Sequence, residues 1–322
     1  MATFLILGGT GKVGRRLTSA LIEAGHDPRP ASRHAAIRFD WADESTWSSA
    51  LAGDDGLAGV DGLFIVGPGS ATDWSPRLSH LLAAAKTAGA GHAVLLSARA
   101  VEFLPGGAVD RAEQALRNGP LPWTVLRPAH FAQNFTEAMF APRDGLITAP
   151  AGTGREPFID AADIADVAAA VLGRDGYHGT TLDLSGPAAV GFAEAAAVLA
   201  EAAGTPVRYE DESDGDHVQR LRAAGTPEGY IEWRMAMLGG IRRGDDAYLS
   251  DGVQQVLRRP ATSLAAWAQR EVPVAPWARE AAAARGGAGA RLPGRWPGSR
   301  CVAQPADGWP GGSTHAGADV AG

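Results

Sequence analysis

The stretch Gly8-Gly9-Thr10-Gly11-Lys12-Val13-Gly14 constrains this chain more than any other segment. It follows the short apolar run Thr3–Leu7 and opens a segment whose Val13, Leu17, Ala20, Leu21 and Ala24 share one helical face, stopping at Gly25. A strand, a glycine-rich turn and a helix in that order make a phosphate-binding unit. Gly8 permits the tight turn, Gly11 lets backbone approach a pyrophosphate, and Gly14 allows the helix to lie close to the strand. The start of the helix offers free N–H groups and the positive end of a dipole. Gly8, Thr10, Gly11, Lys12, Val13 and Gly14 are therefore candidate cofactor-binding residues, with Lys12 facing either a phosphate or solvent. The competing reading is a strand-to-helix turn without a ligand.

Beyond the turn, strands and helices alternate. Strands are expected at Pro28–Ser32, Ala36–Phe39, Val60–Val66, Ala93–Ser97, Trp123–Leu126 and Thr181–Leu184. Helices are expected near Asp43–Leu51, Trp74–Ala88, Val109–Asn118, Asp160–Leu172 and Phe192–Ala203. This order implies an α/β protein: a Rossmann-type, doubly wound parallel sheet with a smaller, mainly helical C-terminal lobe. Pro28 and Pro30 strain the second strand, since proline cannot donate to a ladder and this strand should be interior. Residues 1–190 are expected to form the NAD(P)-binding domain and residues 191–275 the substrate-side lobe, with polar breaks at Asp211–Asp216 and Gly239–Asp246. Residues 276–322, rich in Ala, Gly, Pro and Arg, are expected to form a disordered tail. Trp296 and Trp309 have no explanation within such a tail.

The end of the second strand decides between NAD and NADP. A carboxylate there would accept the ribose 2′-hydroxyl of NAD. The chain has Ser32-Arg33 instead, and a guanidinium suits a 2′-phosphate by charge and by its forked donors. NADP(H) is therefore expected over NAD(H), unless Arg33 is only a solvated loop cation. Asp40 could accept from the adenine amino group or cap the next helix. Gly67-Pro68-Gly69 could let backbone approach the adenosine or could form a plain loop.

The net charge of −7 argues against a nucleic-acid surface. No apolar stretch is long enough to span a bilayer. The N-terminus runs straight into the first strand without the layout of a signal peptide. The single cysteine, Cys301, excludes an intrachain disulfide framework and a cysteine-rich metal site, and makes the cytoplasm the default compartment. The histidines show no metal-ligand spacing, so no metal is expected. Asp160 and Asp163 could suggest paired catalytic carboxylates, but their spacing fits a helix N-cap and a first-turn acid.

The glycine turn, Ala31-Ser32-Arg33, Phe39-Asp40-Trp41, Val94-Leu95-Leu96-Ser97, Glu113-Gln114-Ala115-Leu116, Trp123-Thr124-Val125-Leu126-Arg127-Pro128 and Phe158-Ile159-Asp160-Ala161-Ala162-Asp163-Ile164-Ala165 together resemble the NmrA-like branch of atypical short-chain dehydrogenases. Phe39-Asp40-Trp41 with Ser97 is most similar to the subgroup of bacterial NmrA-like oxidoreductases and festuclavine-type ergot-alkaloid dehydrogenases. The resemblance spans about residues 2–272. It implies the fold and the cofactor but not one reaction, because the family includes quinone, azo and iminium reductases and non-catalytic NADP sensors.

Ordinary short-chain dehydrogenases protonate a carbonyl with a Tyr whose pKa is lowered by a Lys four residues later. Here all four tyrosines lie beyond residue 170, and neither Lys12 nor Lys86 follows one at that spacing. The positions where the resemblance would place the pair hold Pro105 and Val109. The expected activity is then NADPH-dependent hydride transfer to a small quinone, enone or iminium acceptor. The alternatives are an NADP(H)-sensing regulator with a protein partner and, third, an isomerase or cyclase. A homodimer is compatible with any of them. Candidate catalytic residues are Ser97, which could bond substrate, the carboxamide or local backbone; His130, a proton donor, an orienting group or a loop histidine; and Asn134, which could position substrate. Arg127 is expected to tie the strand end to nearby carboxylates.

Overall fold

The computed structural model describes residues 1–52, 59–69 and 71–287. In chain order the first half runs β1 (Thr3–Leu7), α1 (Lys12–Glu23), β2 (Asp27–Ser32), β3 (Ile37–Arg38), α2 (Trp47–Leu51), β4 (Gly62–Val66), α3 (Ser75–Thr87), β5 (His92–Leu96), α4 (Ala108–Arg117) and β6 (Trp123–Pro128). It continues with α5 (Asn134–Glu137), β7 (Leu146–Ala149), β8 (Arg155–Glu156), α6 (Ala161–Leu172), β9 (Thr180–Leu184), β10 (Val190–Gly191), α7 (Phe192–Ala203) and β11 (Arg208–Asp211). Helices α8 (Asp214–Ala223), α9 (Glu228–Arg243), α10 (Gly252–Leu257), α11 (Leu264–Glu271) and α12 (Pro276–Gly287) complete it.

Seven strands form one sheet in the order β3-β2-β1-β4-β5-β6-β9, every pair parallel. Successive residues of β1 feed opposite faces. Leu5 and Leu7 join a core with α3 and α4, whereas Phe4 and Ile6 join a core with α1 and α6. Burial on both faces explains why the strand is apolar throughout and does not alternate. The strand order reverses between β1 and β4, and in open α/β sheets the carboxyl ends at such a reversal are where nucleotides bind.

The two prolines of β2 are accommodated by the shortness of β3. Asp27 donates to Ala2 and Ala31 accepts from Gly9, so odd-numbered residues of β2 turn their polar groups towards β1. Pro28 and Pro30 face the other way, and β3 pairs only with Ala31 and Ser32. At both prolines β2 is in effect an edge, where a missing N–H goes unnoticed.

A third core builds the lobe. It contains Phe192, Leu199, Leu238, Ile241 and Trp267, but also Phe135, Phe140, Ile147 and Phe158. The lobe is thus discontinuous. It borrows the segment between β6 and α6, with β7 pairing to β11, and the boundary expected at residue 190 does not divide the cores. Helix α9 runs through Gly239 and Gly240 and stops only at Gly244, because Gly240 packs against the Phe103 ring and is not a turn. The expected tail also starts too early. Pro276–Gly287 is helical, Ala278 is buried, and the Trp277 indole donates to the Phe135 carbonyl at 2.9 Å. Its alanines and arginines favour helix intrinsically, although they show no amphipathic period. Trp296, Cys301, Trp309 and the rest of the expected tail lie outside the described residues. Among the described residues no helix is long and apolar enough to cross a membrane.

Candidate cofactor and substrate site

The glycine turn has the geometry its sequence implies. Gly8 sits at φ +72°, a conformation that costs other residues energy, and its carbonyl accepts from Gly11 N–H at 2.9 Å. A Cβ on Gly14 would overlap the Gly8 carbonyl oxygen and lie 2.7 Å from Gly9 Cα. A Cβ on Gly9 would lie 2.6 Å from Pro30 Cβ. Close packing of α1 on β1 and β2 therefore demands glycine at both positions. Gly11 differs: its φ of −77° suits any residue, and its Cβ would meet only the Gly8 oxygen, at 3.1 Å. Packing explains Gly9 and Gly14 fully and Gly11 only weakly. Among the described residues no side chain caps α1, and its first turn carries no acid. The leading N–H groups thus remain available to an external anion.

Around this turn the other candidates fall into place unevenly. Ser32 ends β2 half-buried, and Arg33 follows it exposed, its guanidinium without a partner among the described residues. Lys12 is half-buried beside the turn; burial lowers its pKa against the opposing pull of Glu137, and Arg15 and Arg16 lower it further. Asp40 accepts from Ala42 N–H at 2.9 Å, but it does not cap the following helical turn. That role belongs to Asp43, which accepts from Ser45 N–H at 3.2 Å. Gly67 is glycine because the Trp74 indole occupies its Cβ side, with Trp74 Cε2 2.7 Å from the Cβ position. The Val66 carbonyl before it accepts from the Trp41 indole at 3.0 Å. Pro68 and Gly69 continue the loop half-buried.

At the ends of β5 and β6 the side chains form two networks. In the first, Ser97 donates to buried Glu113 at 2.5 Å, so its partner is a carboxylate and not local backbone. Arg127 grips Glu113 through Nε at 2.8 Å and a terminal nitrogen at 2.6 Å, and Arg117 adds a third contact at 2.7 Å. Burial pushes the Glu113 pKa up, but hydrogen bonds from Arg127 and Ser97 and the two arginine charges outweigh it and hold it below the usual range. Arg127 is a tie, as expected. With its proton committed, Ser97 can still accept a hydrogen bond. Asn134 opens α5, largely buried, with its side-chain amide unpartnered among the described residues. Asp160 caps α6 by accepting from Ala162 N–H at 3.0 Å, and Asp163 is clamped by Arg259 at 2.6 Å, so neither is a free acid.

The second network surrounds His130. Its backbone N–H donates to Glu156 Oε1 at 2.8 Å, its ring Nδ1 lies 3.2 Å from the same oxygen, and its Nε2 is buried without a partner among the described residues. Asp246 adjoins Glu156, and one atom from each of His130, Glu156 and Asp246 lies within 4.8 Å of the others. Among the described residues Glu156 Oε2 has no conventional donor. Burial, followed by the charge and hydrogen bonding of Glu156, pushes the Asp246 carboxyl up to about 8, against Arg99. Arg99 lies 3.4 Å from Asp246, donates to the Tyr248 carbonyl at 2.9 Å and stacks on the Tyr248 ring at 3.9 Å. Sequence reasoning identified His130 but missed Arg99, Glu156 and Asp246. The four come from separate segments, and only the proximity of Arg99 to the end of β5 could have drawn attention.

The sequence model of the NAD(P)H-binding family matches residues 8–175. The chain is 34% identical over 274 residues to the uncharacterized oxidoreductase YesF of Bacillus subtilis, covering 82% of this chain and 93% of that one. It is 31% identical over 283 residues to the NAD(P)H azoreductase of Xenophilus azovorans, covering 82% and 96%. In fold it is similar to the NADPH complex of the quinone oxidoreductase QOR2 of Escherichia coli, with a TM-score of 0.67, 24% identity and coverage of 82% and 98%.

Proposed function

Because the chain belongs to the NAD(P)H-binding family, we propose that it is an NADPH-dependent oxidoreductase delivering hydride to a small organic acceptor of quinone, enone or iminium type. The observation that carries the cofactor assignment is the contrast within the turn: Gly9 and Gly14 are required by packing, while Gly11 and the uncapped start of α1 leave backbone open to a diphosphate. Thr10, Gly11, Lys12 and Val13 would hold the diphosphate. Ser32 and Arg33 would take the 2′-phosphate, which is the basis for NADPH over NADH. Asp40 has a carboxylate oxygen left over for the adenine amino group, and Gly67 with Pro68 would line the adenosine side. The single cysteine lies in keeping with a cytoplasmic protein.

The cofactor would supply hydride and both electrons. The chain's own contribution is to orient and to exclude water. Ser97 Oγ, its proton held by Glu113, can accept from a carboxamide N–H₂ and fix the ring it belongs to. Asn134 offers an uncommitted amide towards substrate, and His130 offers Nε2. No Tyr–Lys pair is available, so acceptors whose reduction product is a neutral amine or a stabilised oxyanion suit this site. Purified protein should oxidise NADPH in the presence of quinone, enone or cyclic-iminium acceptors. Tight NADPH binding with no turnover on all three classes would instead favour the sensing reading.

A further inference from the structure

We propose that His130, Glu156 and Asp246 form a buried proton relay that neutralises the oxyanion left on an enone or quinone acceptor, with His130 Nε2 as its outlet. The proposal rests on the oxidoreductase reading above and deepens it, because it assigns the proton source that the absent Tyr–Lys pair leaves open.

Three observations carry it. The first is continuity. Glu156 Oε1 faces His130 Nδ1 at 3.2 Å and is fixed there by the His130 backbone N–H at 2.8 Å, while an Asp246 carboxyl oxygen completes the cluster within 4.8 Å of both residues. The second is charge. Two carboxyls in contact and out of water cannot both ionise unless compensated. Arg99, 3.4 Å from Asp246, compensates one of them, and a single proton shared by the pair compensates the other. The third is the uncommitted ring nitrogen. Glu156, Arg99 and Asp246 are all buried. His130 stands just beyond the end of β6, and its Nε2, the ring nitrogen that does not face Glu156, is buried without a partner among the described residues.

The other charged or titratable groups nearby do not compete as donors. Arg99 is the counter-charge of the pair, 3.4 Å from Asp246. Burial pushes the Tyr248 phenol upward against the charge of Arg99, and that phenol is already given to Glu102 at 3.1 Å. Asp183, raised by burial against the charges of Arg127 and Arg99, stands in register with Arg127 on the neighbouring β9 and so faces the Glu113 network.

The proton balance closes without another reductant. Hydride addition to the acceptor carbon carries both electrons, breaks the π bond and leaves the pair on oxygen as an enolate or phenolate. That oxygen takes the proton from Nε2 as an O–H bond forms, and Nδ1 takes the proton shared by Glu156 and Asp246. Both carboxyls are then ionised beside Arg99 until solvent returns one proton. An N-alkyl iminium becomes a neutral amine on hydride addition and makes no use of the relay.

The test has an arm that needs no cofactor. In the nucleotide-free protein labelled with 15N-histidine, the His130 signals, assigned by their loss in His130→Gln, should shift in a step centred at about pH 8, as Asp246 gives up its proton. Asp246→Asn, nearly isosteric, should abolish that step. In turnover, His130→Gln should raise the ratio of iminium to enone reduction about 100-fold, the scale of a lost general acid. His130 signals without a step near pH 8 in the wild type would overturn the relay, as would an unchanged step in Asp246→Asn or equal slowing of both acceptor classes. If Asp246→Asn fails to fold, the wild-type titration and His130→Gln decide. Failure to bind NADPH would defeat the oxidoreductase reading while leaving the titration to judge the relay.

Discussion

Replacing Gly11 and Gly14 with alanine, one at a time, should damage two different things. At Gly14 the new methyl would overlap the Gly8 carbonyl and press on Gly9 Cα at 2.7 Å. Both are backbone atoms of a turn locked by hydrogen bonds, so relief requires α1 to lift from β1. Overpacking of this kind costs about 1–3 kcal/mol, which lowers the melting temperature by roughly 2–12 °C. At Gly11 the backbone already adopts a conformation open to alanine, and the only close contact is 3.1 Å to the Gly8 oxygen. Reduced freedom of the unfolded chain offsets that contact, so stability should stay within about 1 kcal/mol of wild type. The methyl would, however, stand where the diphosphate must approach. A loss of at least about 1.4 kcal/mol in binding, tenfold in Kd, is expected for NADPH. Thermal unfolding by circular dichroism and calorimetric titration of both variants read the two effects separately. A Gly11→Ala protein that binds NADPH as tightly as wild type would refute the reasoning, as would one destabilised as much as Gly14→Ala.

Glu113→Gln should strip the shared counter-charge from Arg127 and Arg117 and free Ser97. Breaking a buried ion pair costs about 3 kcal/mol or more, measurable by denaturant unfolding, and a cost under about 1 kcal/mol would show the network to be incidental. Asp246 makes an opposite kind of prediction. Its carboxyl is raised from 3.8 to about 8, so between those values the folded protein binds more proton than the unfolded chain. Its contribution is fully present below pH 3.8 and lost as pH rises through about 8. Asp246→Asn should therefore flatten the decline of melting temperature over that window, and an unchanged slope would remove Asp246 from the account.

Much of the sheet was legible because a doubly covered strand writes itself as a short apolar run. Thr3–Leu7 and Phe192–Ala203 match their expected ends. What failed had physical reasons. The lobe's core mixes Phe135 and Phe158 with Leu238 and Trp267, and a division along the chain cannot express such mixing. Helix α12 rests on intrinsic propensity and on Trp277, not on periodicity. In the site, the turn was readable because a positive φ at Gly8 and close packing at Gly9 and Gly14 call for glycine. Asp40 and Asp43 are both plausible caps on paper, and only the loop geometry chooses Asp43. Ser97 was expected to bond a ligand or local backbone, and its hydroxyl proton goes to Glu113, a partner sixteen residues away. The His130 network was invisible because its carboxylates come from β8 and from the turn after α9.

The most direct measurement is a calorimetric titration of the folded protein with NADPH and with NADH, repeated on Arg33→Gln. The account predicts one NADPH bound per chain, about 10–100-fold tighter than NADH, as a charge-assisted contact to phosphate is worth, with the difference largely erased in Arg33→Gln. No heat with either nucleotide, or a wild-type protein that prefers NADH, would contradict it.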